Sequence, residues 1–115
     1  MKWQQFVMEE FLRIEDELGQ VLKGLTVEDL NIQPAPDCNS IGWLIWHLTR
    51  SHDRNMSELM GEEQLWIADK WYVKFNRAPD ATKTSVGHTT EQAKSFRSPS
   101  SDIIMAYHHA ILERI

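Results

Sequence analysis

Residues 39–60 read NSIGWLIWHLTRSHDRNMSELM, and this stretch decides the fold. Asn39 and Ser40 are both favourable helix N-cap residues, and apolar side chains then recur at spacings of three and four. The pattern predicts a long helix over roughly residues 40–60. Its first half is apolar nearly all round and should be the most buried part of the fold. Four charged side chains predict that the second half of this helix is more exposed to solvent: Arg50, Asp53, Arg54 and Glu58.

A first long helix is predicted ahead of this segment. Apolar residues between positions 6 and 22 recur at helical spacing, with acids and Arg13 largely between them. This amphipathic helix of about twenty residues should end near residues 23–24, where lysine suits the helix C-terminus and glycine provides a left-handed cap. Residues 26–29 carry a weak capping pattern that predicts a single further turn.

The segment after residue 60 is predicted to be a long crossover leading to a third helix. Short helices are expected near residues 63–76, and one or two helical turns from Thr89 to about Phe96. Ser98 and Pro99 suit the N-cap and first position of the third long helix, which is predicted to run to the last residue.

Composition limits the classes of protein that this chain can represent. With 115 residues it allows one domain, residues 1–115, and its net charge of −5 without a basic block argues against nucleic-acid partners. The longest apolar run, residues 41–46, is far short of the roughly twenty residues that span a bilayer. A single cysteine excludes an internal disulfide, and no apolar leader is visible, so a cytoplasmic location is expected.

His47 is the most informative candidate for a functional residue. It lies in the most apolar part of the central helix and shares a face with Leu44 and Leu48. One interpretation is a metal ligand, because neutral imidazoles that face a helix-bundle core bind Zn²⁺, Ni²⁺ or Fe²⁺. The other is a buried histidine whose ring is satisfied by a backbone carbonyl or an acid. Spacing alone leaves both interpretations open.

The other histidines give weaker signals. His52 lies about 140° around the helix from His47, so the two do not chelate one ion, and His52 is expected to be exposed. His108 and His109 are adjacent on the third long helix, so at most one of them approaches His47. His88 lies in a polar segment where a solvated side chain is expected.

Cys38 and four tryptophans each allow two interpretations. Cys38 precedes the central helix and is either a thiol activated by the helix N-terminus or a small buried filler. The tryptophans could line a pocket, but at helical spacing they favour the core: Trp43, Trp46, Trp66 and Trp71.

The motif S-I-G-W-L-x-W-H-L at residues 40–48 resembles the second helix of the DinB-like superfamily, also known as DinB/YfiT-like proteins. Asp53 and Arg54 close behind it, and the amphipathic first helix, are similar as well. The resemblance implies an all-α, four-helix bundle with up-down-down-up topology, a divalent metal between the helices and frequent homodimers. It places the first metal ligand on His47.

The same resemblance exposes a departure from the family pattern. The remaining two ligands of the family lie on the last helix, whereas His108 and His109 lie on what reads as the third helix, so the ligands are not carried over to them. We expect three long helices plus short crossover helices in a C-terminally truncated domain. A natural short form, or a chain that completes its bundle with a second chain, remain alternatives.

Two functions follow as hypotheses. The first is a divalent-metal enzyme, either a hydrolase or a thiol-dependent transferase, that acts on a small molecule. Its metal site would be incomplete in this chain, and would either hold Zn, Ni or Fe or be empty. The second is a metal-free, non-catalytic helical module that acts through homodimerisation. Whether the chain is an enzyme is left open by the sequence.

Overall fold

The computed structural model describes residues 3–33, 35, 38–75, 77 and 98–115, and the regular elements within these ranges are all helices. In chain order they are α1 (Trp3–Leu22), α2 (Val27–Leu30), α3 (Ile41–Met60), α4 (Leu65–Ala68), α5 (Trp71–Lys74) and α6 (Ser101–Arg114). The predicted all-α class is confirmed. The long helices α1 and α3 and the short crossover helices α4 and α5 lie where the sequence indicated.

The bounds of α3 follow from its end residues. The Ser40 side chain accepts a hydrogen bond from the Trp43 backbone N–H over 3.1 Å, which satisfies one of the unpaired donors of the first turn. Gly61 ends the helix in the left-handed conformation, with φ of 68°. A residue with a β-carbon adopts that conformation only at a cost, so glycine fixes the C-terminus of α3.

The connection between α1 and α3 is also fixed by local side-chain chemistry. Gly24 has a φ of 78° and follows the last turn of α1. Thr26 and Asp29 then form a capping box, because each side chain accepts a hydrogen bond from the other residue's backbone N–H. The single turn predicted at residues 26–29 is therefore present as α2.

The third long helix begins later than predicted. Its N-cap is Ser100 rather than Ser98, and it has 14 residues. Ser98 is held elsewhere, since its backbone N–H donates to Asn31 Oδ1 over 2.7 Å while the Asn31 amide donates back to the Ser98 carbonyl over 3.1 Å. This two-way pairing with the end of α2 keeps residue 98 out of the helix.

The core is built where α6 packs against both α1 and α3. Tyr107 of α6 is fully buried among aromatic rings of the crossover, with centroids 5.3 Å from Trp71, 5.8 Å from Trp66 and 5.6 Å from Phe75. Trp46 of α3 meets Trp66 edge-on at 6.1 Å. Because Trp43 is buried with these rings, the core interpretation of all four tryptophans is confirmed.

Two predictions fall on parts of the chain that are not described. The turns expected at residues 89–96 and the loop that carries His88 lie outside the described residues. Within the described ranges, no helix combines the length and the apolar character needed to cross a membrane.

Candidate functional site

His47 lies at the border between the core and the exposed side of α3. Its ring is half-buried and stacks on Trp43, with centroids 5.3 Å apart and planes inclined by 16°. One turn earlier on the same face, Leu44 is 50% exposed, and Ile41 at the start of α3 is 38% exposed. The imidazole is therefore located beside an apolar surface, in the half of α3 that was expected to be most buried.

The described residues do not by themselves fit a complete divalent-metal centre around His47. A catalytic zinc site uses three protein ligands, and a structural one four. In the described part of the chain, no three His, Cys, Asp or Glu side chains are grouped so that they could hold one ion. His47 therefore contributes one candidate ligand.

His52 was predicted to be exposed, and this prediction is wrong. Its ring is only partly accessible, stacks on Phe11 of α1 with centroids 4.3 Å apart, and faces α6. His52 Nδ1 lies 3.3 Å from His108 Nε2. Burial, with a smaller contribution from charge on His108, lowers the pKa of His52 to about 4. The predicted angle between His47 and His52 around α3 was right. However, α6 packs on the side of α3 that carries His52, and the sequence had assigned no neighbouring helix to that side.

His108 and His109 differ in burial, although the Nδ1 atoms of both face the Glu15 carboxylate. His108 is fully buried, with its Nδ1 3.5 Å from the Glu15 carboxylate of α1. His109 is half exposed and lies between two acids, with Nδ1 2.8 Å from Glu15 and Nε2 3.1 Å from Glu113. Burial lowers the pKa of His108, whereas the hydrogen bond to Glu15 raises the pKa of His109.

Glu15 is a site residue that sequence reasoning missed. It lies four residues after Phe11 and three before Leu18, both buried, and is thus on the core-facing stripe of α1. A carboxylate at that spacing signals a buried polar partner, and the partner is the pair of histidines on α6.

The second half of α3 was predicted to be more exposed to solvent, and for two of its four charged residues this prediction is wrong. Arg50 and Asp53 are both fully buried, while Arg54 and Glu58 form an exposed pair with N···O of 3.5 Å. Arg50 donates to the Gln64 side chain over 2.7 Å and lies 4.6 Å above the Trp66 ring. Helical spacing could have predicted the burial of Arg50 and Asp53, because they lie four and seven residues after buried Trp46 and therefore on the same face of α3.

Asp53 acts as the polar centre of the core. Its two oxygens accept from the backbone N–H groups of Leu65 and Trp66, at 2.9 and 2.8 Å, and so satisfy the first turn of α4. Tyr107 Oη donates to it over 2.6 Å, and burial together with the Asp53 charge raises the pKa of Tyr107 well above its ordinary value. These partners fully explain the buried carboxylate as a structural group.

Cys38 is exposed, so its interpretation as a buried filler is wrong. The alternative, a thiol activated by the start of α3, stays a prediction. No other cysteine occurs in the sequence.

Comparison with known proteins fixes the family. The family model of the DinB superfamily matches residues 10–114, and the chain therefore belongs to that superfamily, as the motif at residues 40–48 indicated. A solved structure of a conserved protein from Enterococcus faecalis is similar at 31% sequence identity, with a TM-score of 0.83. The match covers 98% of this chain and 66% of that protein, so this chain spans slightly less than two thirds of its length. No curated protein matches the sequence.

Proposed function

We propose that this protein is a divalent-metal-dependent member of the DinB superfamily, in which His47 supplies one ligand and His47 of a second copy of the chain supplies another. The observation that carries the proposal is the location of His47, half-buried on Trp43 and adjacent to exposed Leu44 on α3. An imidazole in this position is held in one orientation by its ring contact and is also within reach of a helix that packs on the apolar surface.

The surface beside His47 favours completion by a second copy of the chain. Leu44 and Ile41 of α3 expose apolar area, although α3 also packs on α6. In a two-fold dimer the same patch occurs on both partners, so a patch centred on the axis brings two His47 residues together, which are two of the three protein ligands of a catalytic site. We expect Zn²⁺, Ni²⁺ or Fe²⁺ at this interface, and a small molecule as the substrate of a hydrolase or thiol-dependent transferase in the cytoplasm.

The test is metal content of the purified 115-residue chain, measured by elemental analysis after dialysis against Zn²⁺, Ni²⁺ and Fe²⁺. Wild type should retain one of these metals and His47→Ala should lose it. His109→Ala is the matched control, because His109 is a half-exposed histidine next to two acids and tests for casual surface binding. Metal retained equally by His47→Ala and wild type would contradict the proposal.

A second candidate is a metal-free helical module that acts through homodimerisation. It is favoured by the lack of a three-residue metal group among the described residues together with the exposed apolar side chains of α3. This module should be dimeric in EDTA by light scattering, and Leu44→Glu should yield monomers. Val73→Glu is the control, since Val73 is 62% exposed on α5 rather than α3. A monomer in EDTA that dimerises only with metal would favour the first candidate.

A further inference from the structure

A groove runs along the surface of the bundle between α1 and α6. Its volume is about 380 Å³, which lies within the range of roughly 300–1,000 Å³ that small-molecule sites occupy. Its lining includes Met105 of α6 and four residues of α1 spaced by four, three and four positions: Leu12, Asp16, Gly19 and Lys23. This spacing places the four residues on one face of the helix. The groove therefore follows α1 for about three turns.

Gly19 lies in the middle of the groove, and its contacts within the described residues do not require a glycine there. Its φ is not in the left-handed region, and a β-carbon added to it would meet only the Met105 methyl carbon, at an ordinary contact distance of 3.9 Å. A glycine inside a helix is destabilising relative to alanine. The effect of this glycine is to leave the middle of the groove open beside Met105.

The part of the groove nearer the start of α1 is negatively charged. Glu15 lines it, but its two oxygens already face His108 Nδ1 at 3.5 Å and His109 Nδ1 at 2.8 Å. Asp16 is exposed and accepts one hydrogen bond, from Gln20 Nε2 over 3.3 Å. An exposed carboxylate with one neutral donor can accept further hydrogen bonds. Asp16 is therefore the acid that a cationic group in the groove reaches.

Lys23 places a positive charge at the other end of the groove. The position four residues before it on α1 is Gly19, so no acid stands there at helical ion-pair spacing. In the part of the chain that the structure describes, Lys23 forms no ion pair, whereas Arg13 on another side of α1 pairs with both Glu10 and Glu17. The Lys23 ammonium is therefore accessible to an anionic group.

The two charged ends define the chemistry of an occupant. Asp16 and Lys23 are seven residues apart, which corresponds to about 10 Å along the helix axis. A ligand complementary to both ends carries an ammonium group and a carboxylate at about that separation. An extended chain spans about 3.3–3.6 Å per residue, so a tripeptide with free ends has the required length. Gln20 also lines the groove, and its amide can pair with a peptide group.

We propose that the groove between α1 and α6 binds a short peptide with free termini, about three residues long, whose ammonium group pairs with Asp16 and whose carboxylate pairs with Lys23. The central residue of the peptide lies against Gly19 and Met105. His47 of α3 does not line this groove, so peptide binding is independent of any metal at His47.

NMR titration of the full 115-residue chain in EDTA tests the site with the peptide Ala-Leu-Ala. Amide shifts of Leu12, Gly19 and Met105 should change and saturate below about 20 mM, because an open site should bind with roughly millimolar affinity. N-acetyl-Ala-Leu-Ala lacks the ammonium group, and Ala-Leu-Ala amide lacks the carboxylate. Each should bind about two- to five-fold more weakly at low salt, as expected for the loss of one exposed ion pair.

Variants assign each end of the peptide to its partner. Lys23→Gln should weaken binding of the free peptide about two- to five-fold and have little effect on the peptide amide. Asp16→Asn should show the same loss for the free peptide and little effect on the acetylated one. Gly19→Leu fills the middle of the groove and should weaken all three peptides at least five-fold. Lys70→Gln, which removes an exposed lysine of the crossover, is the matched control and should bind like wild type.

Four results overturn the proposal. The first is the absence of shift changes at the three groove residues with 20 mM peptide, which is well above the roughly millimolar affinity expected. The second is equal binding of the free peptide and of a peptide blocked at both ends. The third is undiminished binding by Gly19→Leu. The fourth is an equal loss in Lys23→Gln and Lys70→Gln, because net charge rather than the groove would then determine binding.

Discussion

Tyr107 of α6 donates a hydrogen bond of 2.6 Å to the buried Asp53 carboxylate of α3, and this bond lies at the centre of the protein's polar core. Both residues are fully buried. The same carboxylate accepts from the first two backbone N–H groups of α4 and lies 3.5 Å from an Arg114 nitrogen. Asp53 therefore connects α3, α4 and α6, and the loss of either partner leaves a polar group in the core without its main contact.

Asp53→Ala should be among the most destabilising substitutions in the chain. It removes the acceptor of two backbone donors and a tyrosine, and leaves Arg50 without the carboxylate 3.9 Å away. Breaking a buried charge network in this way costs about 3–5 kcal/mol. Urea denaturation followed by circular dichroism measures it. Glu58→Ala, which removes an exposed partner of Arg54, is the control and should change the free energy of unfolding by less than about 0.5 kcal/mol. Similar losses for both variants would contradict the assigned role.

Tyr107→Phe should cost less than Asp53→Ala, because the ring and its aromatic contacts remain. The lost interaction is a hydrogen bond to a charged acceptor, for which about 1.5–3 kcal/mol is expected. The pKa of Tyr107 is raised by burial and by Asp53, so in the folded protein its phenol should stay protonated above pH 10. Since the unfolded phenol ionises near 10, this contribution to stability is complete below pH 10 and declines above it. Absorbance at alkaline pH, compared between wild type and Tyr107→Phe, gives the ionisation directly.

The helices were predictable because their signals are local. Ser40 and Gly61 cap α3 at the positions that the sequence indicated, and Thr26 with Asp29 starts α2. The start of α6 was not predictable, because Ser98 is withdrawn by Asn31, 67 residues earlier in the chain. A residue that favours the N-cap position starts a helix only where no hydrogen bond to a distant part of the chain competes for it.

The candidate site was harder to predict than the fold because burial depends on neighbouring helices. The charges of Arg50 and Asp53 suggested that these residues are exposed to solvent. The angular position of His52 on α3 relative to His47 suggested the same for His52. In each case a second element, α4 or α6, covers the residue and supplies its partners. His47, the ligand position implied by the family motif, shares a face with Leu44 as the spacing indicated, but it lies half-buried at the border of the core rather than inside it.

Gly42→Ala should destabilise the protein although alanine favours helix. A β-carbon at residue 42 would lie 2.4 Å from the Ser98 β-carbon and 2.9 Å from the Leu30 carbonyl oxygen, both closer than packing permits. We expect a loss of roughly 1–3 kcal/mol from the forced movement of these groups. Gly19→Ala in α1 is the matched control, since its nearest neighbour is the Met105 methyl carbon at 3.9 Å. That variant should gain up to about 1 kcal/mol from helix propensity. Thermal denaturation of the two variants should therefore shift in opposite directions, and a stabilised Gly42→Ala would disprove the close approach of α3 to Ser98.

His109 should make a pH-dependent contribution of opposite sign to that of His52. Its pKa is raised above 6.5, first by the hydrogen bond to Glu15 and then by the charges of Glu15 and Glu113. The folded state therefore binds the proton more tightly than the unfolded state, and the stabilisation is complete below pH 6.5 and is lost as the pH rises through the folded pKa. His109→Gln should reduce stability at pH 6 and leave it nearly unchanged at pH 8.5, as measured by urea denaturation at both values. Because half of this side chain is exposed, added salt should weaken the difference.

The two adjacent histidines of α6 thus respond to acid in opposite ways, since one is buried against an imidazole and the other lies in water between two carboxylates. A loss at pH 8.5 as large as that at pH 6 would mean that His109 acts through packing rather than charge.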